Sequence, residues 1–181
     1  MNSKEFYRVV SRLMSPWCKA SEFSRLKGTS LGWSKRNEDN HSIFYFQANR
    51  WGFDLYAGST FGVEVQLSKS QLLWPREKNC REGNLAYFLP DADVEEIRQL
   101  TNVVIARLPR PPEDYVQRFG KIAGWYRQKF EPVTEPWAVP FGPDHNIRFR
   151  FRTEEDLQMW AEFLQREIPK ALHYMVDWPY H

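Results

Sequence analysis

Between residues 60 and 67 the side chains alternate strictly between apolar and mostly polar types. The apolar positions are Phe61, Val63, Val65 and Leu67, and the positions between them are Thr60, Gly62, Glu64 and Gln66. A period of two predicts a β-strand with one face in the core. Because a slip of one residue would expose all four apolar side chains, the pairing of this strand is well specified. Short connections to the neighbouring strands favour antiparallel pairing.

Length and composition limit the class of protein to a globular domain. The 181 residues correspond to about one domain, so we predict a single domain over residues 1–181. Lys plus Arg number 25 and Asp plus Glu number 23, and 25 − 23 leaves a formal charge of +2. This near balance argues against a strongly basic nucleic-acid binder and against an acidic tail protein. A content of 42% hydrophobic and 16% aromatic residues excludes disorder.

The first part of the chain predicts one helix followed by strands. Apolar residues at helical spacing indicate a helix over residues 3–14, and Pro16 predicts its end, since the residue before a proline avoids the helical region. Residues 30–34 read as a short strand, and residues 37–40 as a hairpin turn. Residues 41–51 carry apolar groups on both faces, which is typical of a central strand covered on both sides.

The middle of the chain predicts two helices after a less regular segment. Residues 85–89 are a candidate strand closed by Pro90. A helix reaching Leu108 then begins with Asp91 or Asp93 as its N-cap. A second helix is predicted over residues 113–129, after a proline-rich linker.

The last part predicts a strand and a helix. Four prolines make residues 131–143 an irregular excursion, and residues 146–152 alternate again. Thr153 and Asp156 resemble a capping box for the final helix, which Pro169 should kink or end. This order of elements predicts an α+β fold, with a mostly antiparallel sheet and helices packed on one face.

No motif for catalysis, metal or cofactor binding is present. Cys18 and Cys80 are far apart, as expected of reduced thiols, and no histidines have metal-ligand spacing. We therefore predict no catalytic residues, no metal and no cofactor. The N-terminus lacks the apolar stretch of a signal peptide, and no window approaches about 18 apolar residues. A cytoplasmic protein that does not bind membranes is expected.

An arginine row is the first candidate binding feature. Arg148, Arg150 and Arg152 alternate with apolar residues, so on a strand they project from one face about 6.6 to 6.8 Å apart. Like charges in a row repel each other unless acidic groups lie close enough to neutralise them. Acidic residues on a neighbouring strand, such as Glu64, could supply that negative charge. The alternative source is an acidic partner protein or a phosphate backbone.

Polar residues interleaved with tryptophan form the second candidate feature. Gln47, Asn49, Arg50 and Trp51 suit recognition of a peptide, a base or a sugar, but also suit a strand end bonded to a neighbouring loop. The chain has eight tryptophans, and Trp and Arg are enriched at interface hot spots. With Trp33 added, these residues and the arginine row are the predicted partner-binding set.

Residues 6–68 resemble the bacterial domain-of-unknown-function family 4304. The resemblance is carried by the N-terminal helix that ends near a proline, the segment Gly32-Trp33-Ser34-Lys35-Arg36, the aromatic stretch Ile43-Phe44-Tyr45-Phe46-Gln47 and the strand Phe61-Gly62-Val63-Glu64-Val65. It implies an α+β fold with helices on an antiparallel sheet. It also implies that the protein is an immunity or accessory protein, encoded near a bacterial toxin system. The resemblance transfers no catalytic residue.

Three functional hypotheses follow. The first is a bacterial interaction protein without enzymatic activity, whose partner is a protein such as a toxin. Because the chain has a charge of +2, a neutral or acidic target fits better than a basic nuclease. The second, ranked below it, is a nucleic-acid or nucleotide-binding module that uses the arginine row. The third is an enzyme with a dispersed site that includes Asp144, His145 and Glu64.

Overall fold

An antiparallel sheet forms the centre of the computed structural model, which describes residues 1–28, 31–50, 52–71, 73, 80–134 and 147–177. The strands are β1 (Ser24–Arg25), β2 (Leu31–Asn37), β3 (Asn40–Ala48), β4 (Ser59–Ser68), β5 (Arg81–Asn84) and β6 (Phe149–Phe151). The α-helices are α1 (Ser3–Ala20), α2 (Asp91–Ala106), α3 (Glu113–Gln117), α4 (Ala123–Gln128) and α5 (Glu154–Asp177). No helix in these ranges is both long and apolar enough to cross a membrane.

The strands are paired in the order β1-β2-β3-β4, and two strands share the far edge of β4. β5 pairs with β4 along residues 64–67, whereas β6 pairs with it along residues 59–61. All of these pairings are antiparallel. The predicted α+β fold with an antiparallel sheet is confirmed, as is the hairpin turn at residues 37–40.

One face of the sheet carries the main core. The register places Trp33 opposite Phe44 and Phe44 opposite Val65, and all three are buried. Helices α1 and α5 pack on this face through Phe6 and Trp160, among other residues. The predicted alternation of β4 is confirmed, because Phe61, Val63 and Val65 are buried and Leu67 is partly buried in the same cluster.

The opposite face of the sheet is also covered. Ile43 and Tyr45 of β3 are buried there, and they pack with Leu26 and Leu73. The prediction that β3 is a central strand with both faces covered is therefore confirmed. Near the β6 end of this face, the chain that follows α4 reaches Arg150, and this approach creates the site described below.

A second apolar cluster joins the end of α2 to α3 and α4. Its buried members are Ala57, Val104, Ile105, Leu108, Val116, Ala123, Tyr126 and Phe130. Ala57 belongs to the loop between β3 and β4, so this cluster fixes that loop against α3 and α4. The loop and the segment from Phe119 to Lys129 form two walls of the candidate site.

Two helices continue through prolines that were expected to end or bend them. Pro16 lies inside α1 and Pro169 inside α5, and both helices extend well past these residues. A proline inside a helix removes a hydrogen bond and costs about 3 kcal/mol. Burial of Met14 and Cys18 around Pro16, and of Ile168 and neighbouring apolar residues around Pro169, offsets this cost.

Three other local predictions are wrong. Residues 85–89 do not form a strand, because Leu85–Phe88 is a 3-10 turn that Asn84 caps through a 3.2 Å bond from the Ala86 amide. Neither Asp91 nor Asp93 is an N-cap, since α2 begins after Pro90 with both acids in its first turn. The helix predicted over residues 113–129 is broken at Gly120, whose φ of +52° lies in the left-handed region.

The capping box at the start of α5 is confirmed. The Asp156 carboxylate accepts the Thr153 amide at 2.9 Å, and Thr153 Oγ1 accepts the Asp156 amide at 3.3 Å. The same carboxylate accepts the Arg152 amide at 2.8 Å. Together these bonds fix the turn between β6 and α5. The predicted excursion over residues 131–143 lies largely outside the described residues.

Candidate functional site

A cleft of about 660 Å³ lies between the β3–β4 loop, the segment from Phe119 to Lys129, and the outer end of β6. Small-molecule and peptide-anchor pockets typically have volumes of about 300 to 1,000 Å³. The cleft is therefore large enough to take a side-chain pair or a small ligand. We call it the basic-aromatic cleft, after Lys129, Arg150 and Trp125 in its lining; Ile122 adds an aliphatic side chain beside them.

The β3–β4 loop is shaped by the Asp54 carboxylate and by Gly58. Asp54 Oδ1 accepts the Tyr56 amide at 2.9 Å and the Ala57 amide at 2.7 Å, as in other turns organised by an aspartate. The backbones of Asp54 and Gly58 exchange hydrogen bonds of 2.8 and 3.0 Å. Gly58 has a φ of +69°, and a Cβ there would lie 2.2 Å from the Phe151 carbonyl oxygen. Only glycine fits this approach to β6.

Two tyrosines join the loop to α3 and α4 through the same carboxylate. Tyr126 donates its hydroxyl to Asp54 Oδ1 at 2.8 Å, and Tyr115 donates to Asp54 Oδ2 at 3.2 Å. Burial acts to raise the pKa of Asp54, but the bonds from Ala57, Tyr126, Tyr56 and Tyr115 outweigh it and leave the pKa lowered. Burial and the neighbouring carboxylate raise the pKa of Tyr126 and of Tyr115. At neutral pH the carboxylate is ionised and both phenols are neutral.

Lys129 and Arg150 supply the positive charge of the cleft. The Arg150 guanidinium donates to the Lys129 backbone carbonyl, and neither cation forms an ion pair with a described residue. Burial lowers the pKa of Lys129, Asp54 opposes that shift, and repulsion from Arg150 adds to it. Burial also lowers the pKa of Arg150, against attraction from Asp54. Two cations and one carboxylate leave a charge of 2 − 1 = +1 in the cleft.

The apolar part of the cleft is exposed. Ile122 and Trp125 have 53% and 55% of their surface accessible, although α4 buries the neighbouring Tyr126 completely. The Lys129 ammonium lies 4.1 Å from the centroid of the Trp125 ring, within cation–π range. Large apolar side chains that are exposed beside excess positive charge are typical of binding surfaces.

The structure brings together two of the predicted partner-binding residues. Asn49 and Arg150 both line the basic-aromatic cleft, although they are distant in sequence. Thr60 connects them, because it lies opposite Arg150 in the sheet and its Oγ1 accepts the Asn49 side-chain amide at 3.2 Å. Gln47 and Arg50 are exposed but do not belong to this lining, and Trp51 lies outside the described residues.

Trp33 is a core residue, which corrects its assignment to the partner-binding set. Its side chain is buried and stacks on Phe44 with ring centroids 5.5 Å apart. The Arg25 guanidinium lies over it, 5.1 Å from the ring centroid. The physical reason is register: Trp33 is opposite Phe44 on the helix-covered face, so it has no surface for a partner.

The arginines of the row do not form one common surface. The apolar residues Ile147, Phe149 and Phe151 are buried as predicted. Arg150 turns to Lys129, and Arg152 donates Nε to the Leu55 carbonyl at 3.2 Å. Arg148 is half-buried, and its Nη1 is enclosed with no hydrogen-bond partner among the described residues.

The proposed cross-strand pairing of this row with Glu64 does not occur. β6 is adjacent to β4, but the register places Thr60 opposite Arg150. Glu64 instead lies opposite Asn84 on one side and Tyr45 on the other. The carboxylate whose charge attracts Arg150 is that of Asp54, which lies in a loop rather than on a strand.

Sequence reasoning missed most of this cleft. No local pattern predicts a site at four of its lining residues, because the contacts that unite them are between distant segments. These residues are Asp54, Ile122, Trp125 and Lys129. One local signal existed: an aspartate followed four residues later by a glycine, Asp54 and Gly58, indicates a tight loop organised by the carboxylate.

The remaining residues considered for chemistry lie elsewhere. Asp144 and His145 are outside the described residues, and Glu64 does not line the cleft. The described chain also brings three carboxylates together, those of Asp93, Glu96 and Glu167. Lys170 contacts Asp93 at 3.1 Å and Glu167 at 2.7 Å, and Arg166 contacts Glu96 at 2.6 Å. These two cations make the cluster an ion-pair network between α2 and α5.

Compared with known proteins, the chain matches no family model, no curated protein and no solved structure. The resemblance of residues 6–68 to the domain-of-unknown-function family 4304 therefore remains a prediction.

Proposed function

We propose that this is a non-enzymatic interaction protein whose basic-aromatic cleft binds an acidic segment of a partner protein. The observation that carries the proposal is the excess positive charge of Lys129 and Arg150, which form no ion pair with the described residues, beside the exposed side chains of Ile122 and Trp125. Asp54 balances one of these two partly buried positive charges, and the remaining charge of +1 favours an anionic ligand. The exposed apolar residues add contact area around that ion pair.

The chemistry of Asp54 supports binding over catalysis. A general base works best with a pKa near the operating pH, whereas hydrogen bonds hold the pKa of Asp54 below its ordinary value. Its four donors also engage both carboxylate oxygens, three at Oδ1 and one at Oδ2. In this proposal Asp54 organises the cleft and takes no part in a reaction.

The resemblance of residues 6–68 extends this proposal to a biological role. The protein would be a bacterial cytoplasmic immunity or accessory protein, and the acidic segment would belong to a toxin. The formal charge of +2 agrees with a neutral or acidic target. This role depends on the resemblance, whereas the acidic-segment proposal depends on the cleft.

A nucleotide or nucleic acid is the second candidate ligand. The exposed Trp125 ring favours it, since aromatic side chains stack on bases and nearby cations bind phosphates. Salt separates the two candidates for an extended nucleic acid, because neutralising several phosphates makes log affinity fall steeply with log salt. A single bound carboxylate gives a much smaller slope.

The test uses a blocked decapeptide that alternates glutamate and glycine, with binding followed by isothermal titration calorimetry. Saturable binding by the wild type that is lost in the variant Lys129→Gln, Arg150→Gln is expected. The matched control is Lys27→Gln, Arg36→Gln, which removes the same charge from two exposed positions outside the cleft. Equal loss in both variants would show non-specific charge attraction and contradict the proposal. A single-stranded oligonucleotide that binds more tightly than the peptide, with a steep salt dependence, would favour the second candidate.

A further inference from the structure

The position of the Lys129 ammonium relative to Trp125 restricts what the cleft can hold. The ammonium lies 4.1 Å from the Trp125 ring centroid and 5.4 Å from that of Tyr126. The indole is more than half exposed, whereas Tyr126 is fully buried. A ligand therefore meets the charge and the indole side by side. A carboxylate that reaches the ammonium brings its neighbouring groups against the ring.

Arg150, the second cation of the cleft, restricts the position that the carboxylate of a ligand can take. The Arg150 guanidinium donates to the Lys129 backbone carbonyl and repels the Lys129 ammonium, and both side chains line the cleft. An oxyanion between them relieves that repulsion and accepts from both. Asp54 also lines the cleft, and its carboxylate oxygens already accept bonds from Tyr56, Ala57 and the two tyrosines.

Charge balance selects the kind of anion. The cleft carries +1 when Asp54 is ionised, which one carboxylate neutralises. A phosphate monoester, such as that of a mononucleotide, carries about −1.5 to −2 at pH 7, so its additional charge faces the Asp54 carboxylate without compensation. The cleft therefore favours a carboxylate of a peptide over the phosphate of a nucleotide.

We infer that the partner segment carries an aromatic residue directly next to an acidic residue, with the ring against Trp125 and the carboxylate between Lys129 and Arg150. This inference rests on the proposed function and names the anchor that the segment uses. Aromatic pairs contribute beyond their buried area, and Trp and Arg are the residues that most often dominate binding energy in interfaces. Acidic segments without an aromatic neighbour bind through the cations alone.

The test compares three blocked tetrapeptides, followed by NMR chemical-shift titration up to millimolar concentrations. The first is glycine–phenylalanine–glutamate–glycine, the second has alanine for phenylalanine, and the third has glutamine for glutamate. We expect the first to bind about five- to tenfold more tightly than the second, from ring stacking. The third should bind at least as weakly as the second, since it lacks the charge.

Variants then locate the two contributions. Trp125→Ala should abolish the advantage of phenylalanine over alanine while the glutamate probe still binds. Lys129→Gln should abolish the advantage of glutamate over glutamine. Tyr174→Ala removes a comparably exposed aromatic ring on α5 outside the cleft and should change neither difference. Unchanged melting temperatures show that each variant is folded.

Three results would overturn the inference. If the phenylalanine and alanine probes bind equally and both require Lys129 and Arg150, the anchor is wrong and the proposed function stands. If adenosine monophosphate binds in the cleft more tightly than the phenylalanine–glutamate probe, the ligand class is wrong. If neither the tetrapeptides nor the decapeptide binds to the wild type, the proposed function itself fails.

Discussion

Replacement of Asp54 tests whether one carboxylate organises the walls of the cleft. Its oxygens accept four hydrogen bonds, from the amides of Tyr56 and Ala57 and from the hydroxyls of Tyr115 and Tyr126. Asp54→Ala removes all four acceptor contacts. Asp54→Asn keeps one oxygen with nearly the same shape, removes the charge and replaces the other acceptor with an NH2 donor.

The structure predicts different costs for the two variants. Tyr126 is fully buried and Ala57 almost so, and an unsatisfied buried donor costs about 1 to 3 kcal/mol. Asp54→Ala should therefore lower the free energy of unfolding by roughly 2 to 6 kcal/mol. Asp54→Asn should cost about 1 to 2 kcal/mol, since hydrogen bonds to an ionised acceptor are about twice as strong as neutral ones.

Acid should reduce the difference between the wild type and Asp54→Asn. The pKa of Asp54 is lowered in the folded state, so its charge stabilises the fold fully above the unfolded-state pKa of about 3.9. That contribution is lost as the pH falls through the folded-state pKa. The stability difference should be constant from about pH 5 to pH 8 and should narrow below about pH 4.

Urea unfolding at several pH values, followed by circular dichroism, measures these differences. The matched control is Asp39→Asn, which removes the same charge from an exposed hairpin turn that tolerates asparagine. It should stay within about 0.5 kcal/mol of the wild type. Asp54→Ala that is as stable as Asp39→Asn would refute the conclusion that the carboxylate joins the loop to α3 and α4.

Three further predictions concern the rest of the fold. Val65→Asp places an unpaired charge at a fully buried position and should cost several kcal/mol in thermal unfolding, whereas Val103→Asp at an exposed position of α2 should cost about 1 kcal/mol or less. Gly58→Ala should destabilise by more than 2 kcal/mol, from the clash with the Phe151 carbonyl and the positive φ; Gly124→Ala, which meets no neighbour, should stabilise by about 0.5 to 1 kcal/mol. Equal effects at the two glycines would contradict this. A chelator should leave the melting temperature unchanged, since cations occupy the three-carboxylate cluster between α2 and α5; a clear decrease would indicate a bound metal.

Local patterns predicted those parts of the fold in which each residue's environment follows from its neighbours in sequence. The alternation of residues 60–67 and of residues 147–151 placed the correct side chains in the core. The polar residues 37–40 predicted the hairpin turn, and Thr153 with Asp156 predicted the start of α5. In each case hydrogen bonding or burial acts over a few residues, so the sequence carries the information directly.

Local rules failed where contacts between distant elements outweighed them. Proline at position 16 predicts a helix end, but the packing of α1 on the sheet continues the helix past it. Trp33 is of a residue type that is common in interfaces, yet cross-strand pairing with Phe44 places it in the core. Tertiary burial contributes several kcal/mol, more than the local preferences that it opposed.

The residue pattern alone was sufficient to predict an antiparallel α+β fold, the core face of β4 and the alternation that sets Arg150 opposite to the buried phenylalanines of β6. Contacts between distant segments bring five residues into the lining of one cleft: Asn49, Asp54, Trp125, Lys129 and Arg150. The physical reason is that this cleft depends on a strand register, on a loop held by two distant tyrosines, and on the break at Gly120 that sets the course of α4. None of these features produces a repeating pattern in the sequence, so the position of the cleft follows only from the folded chain.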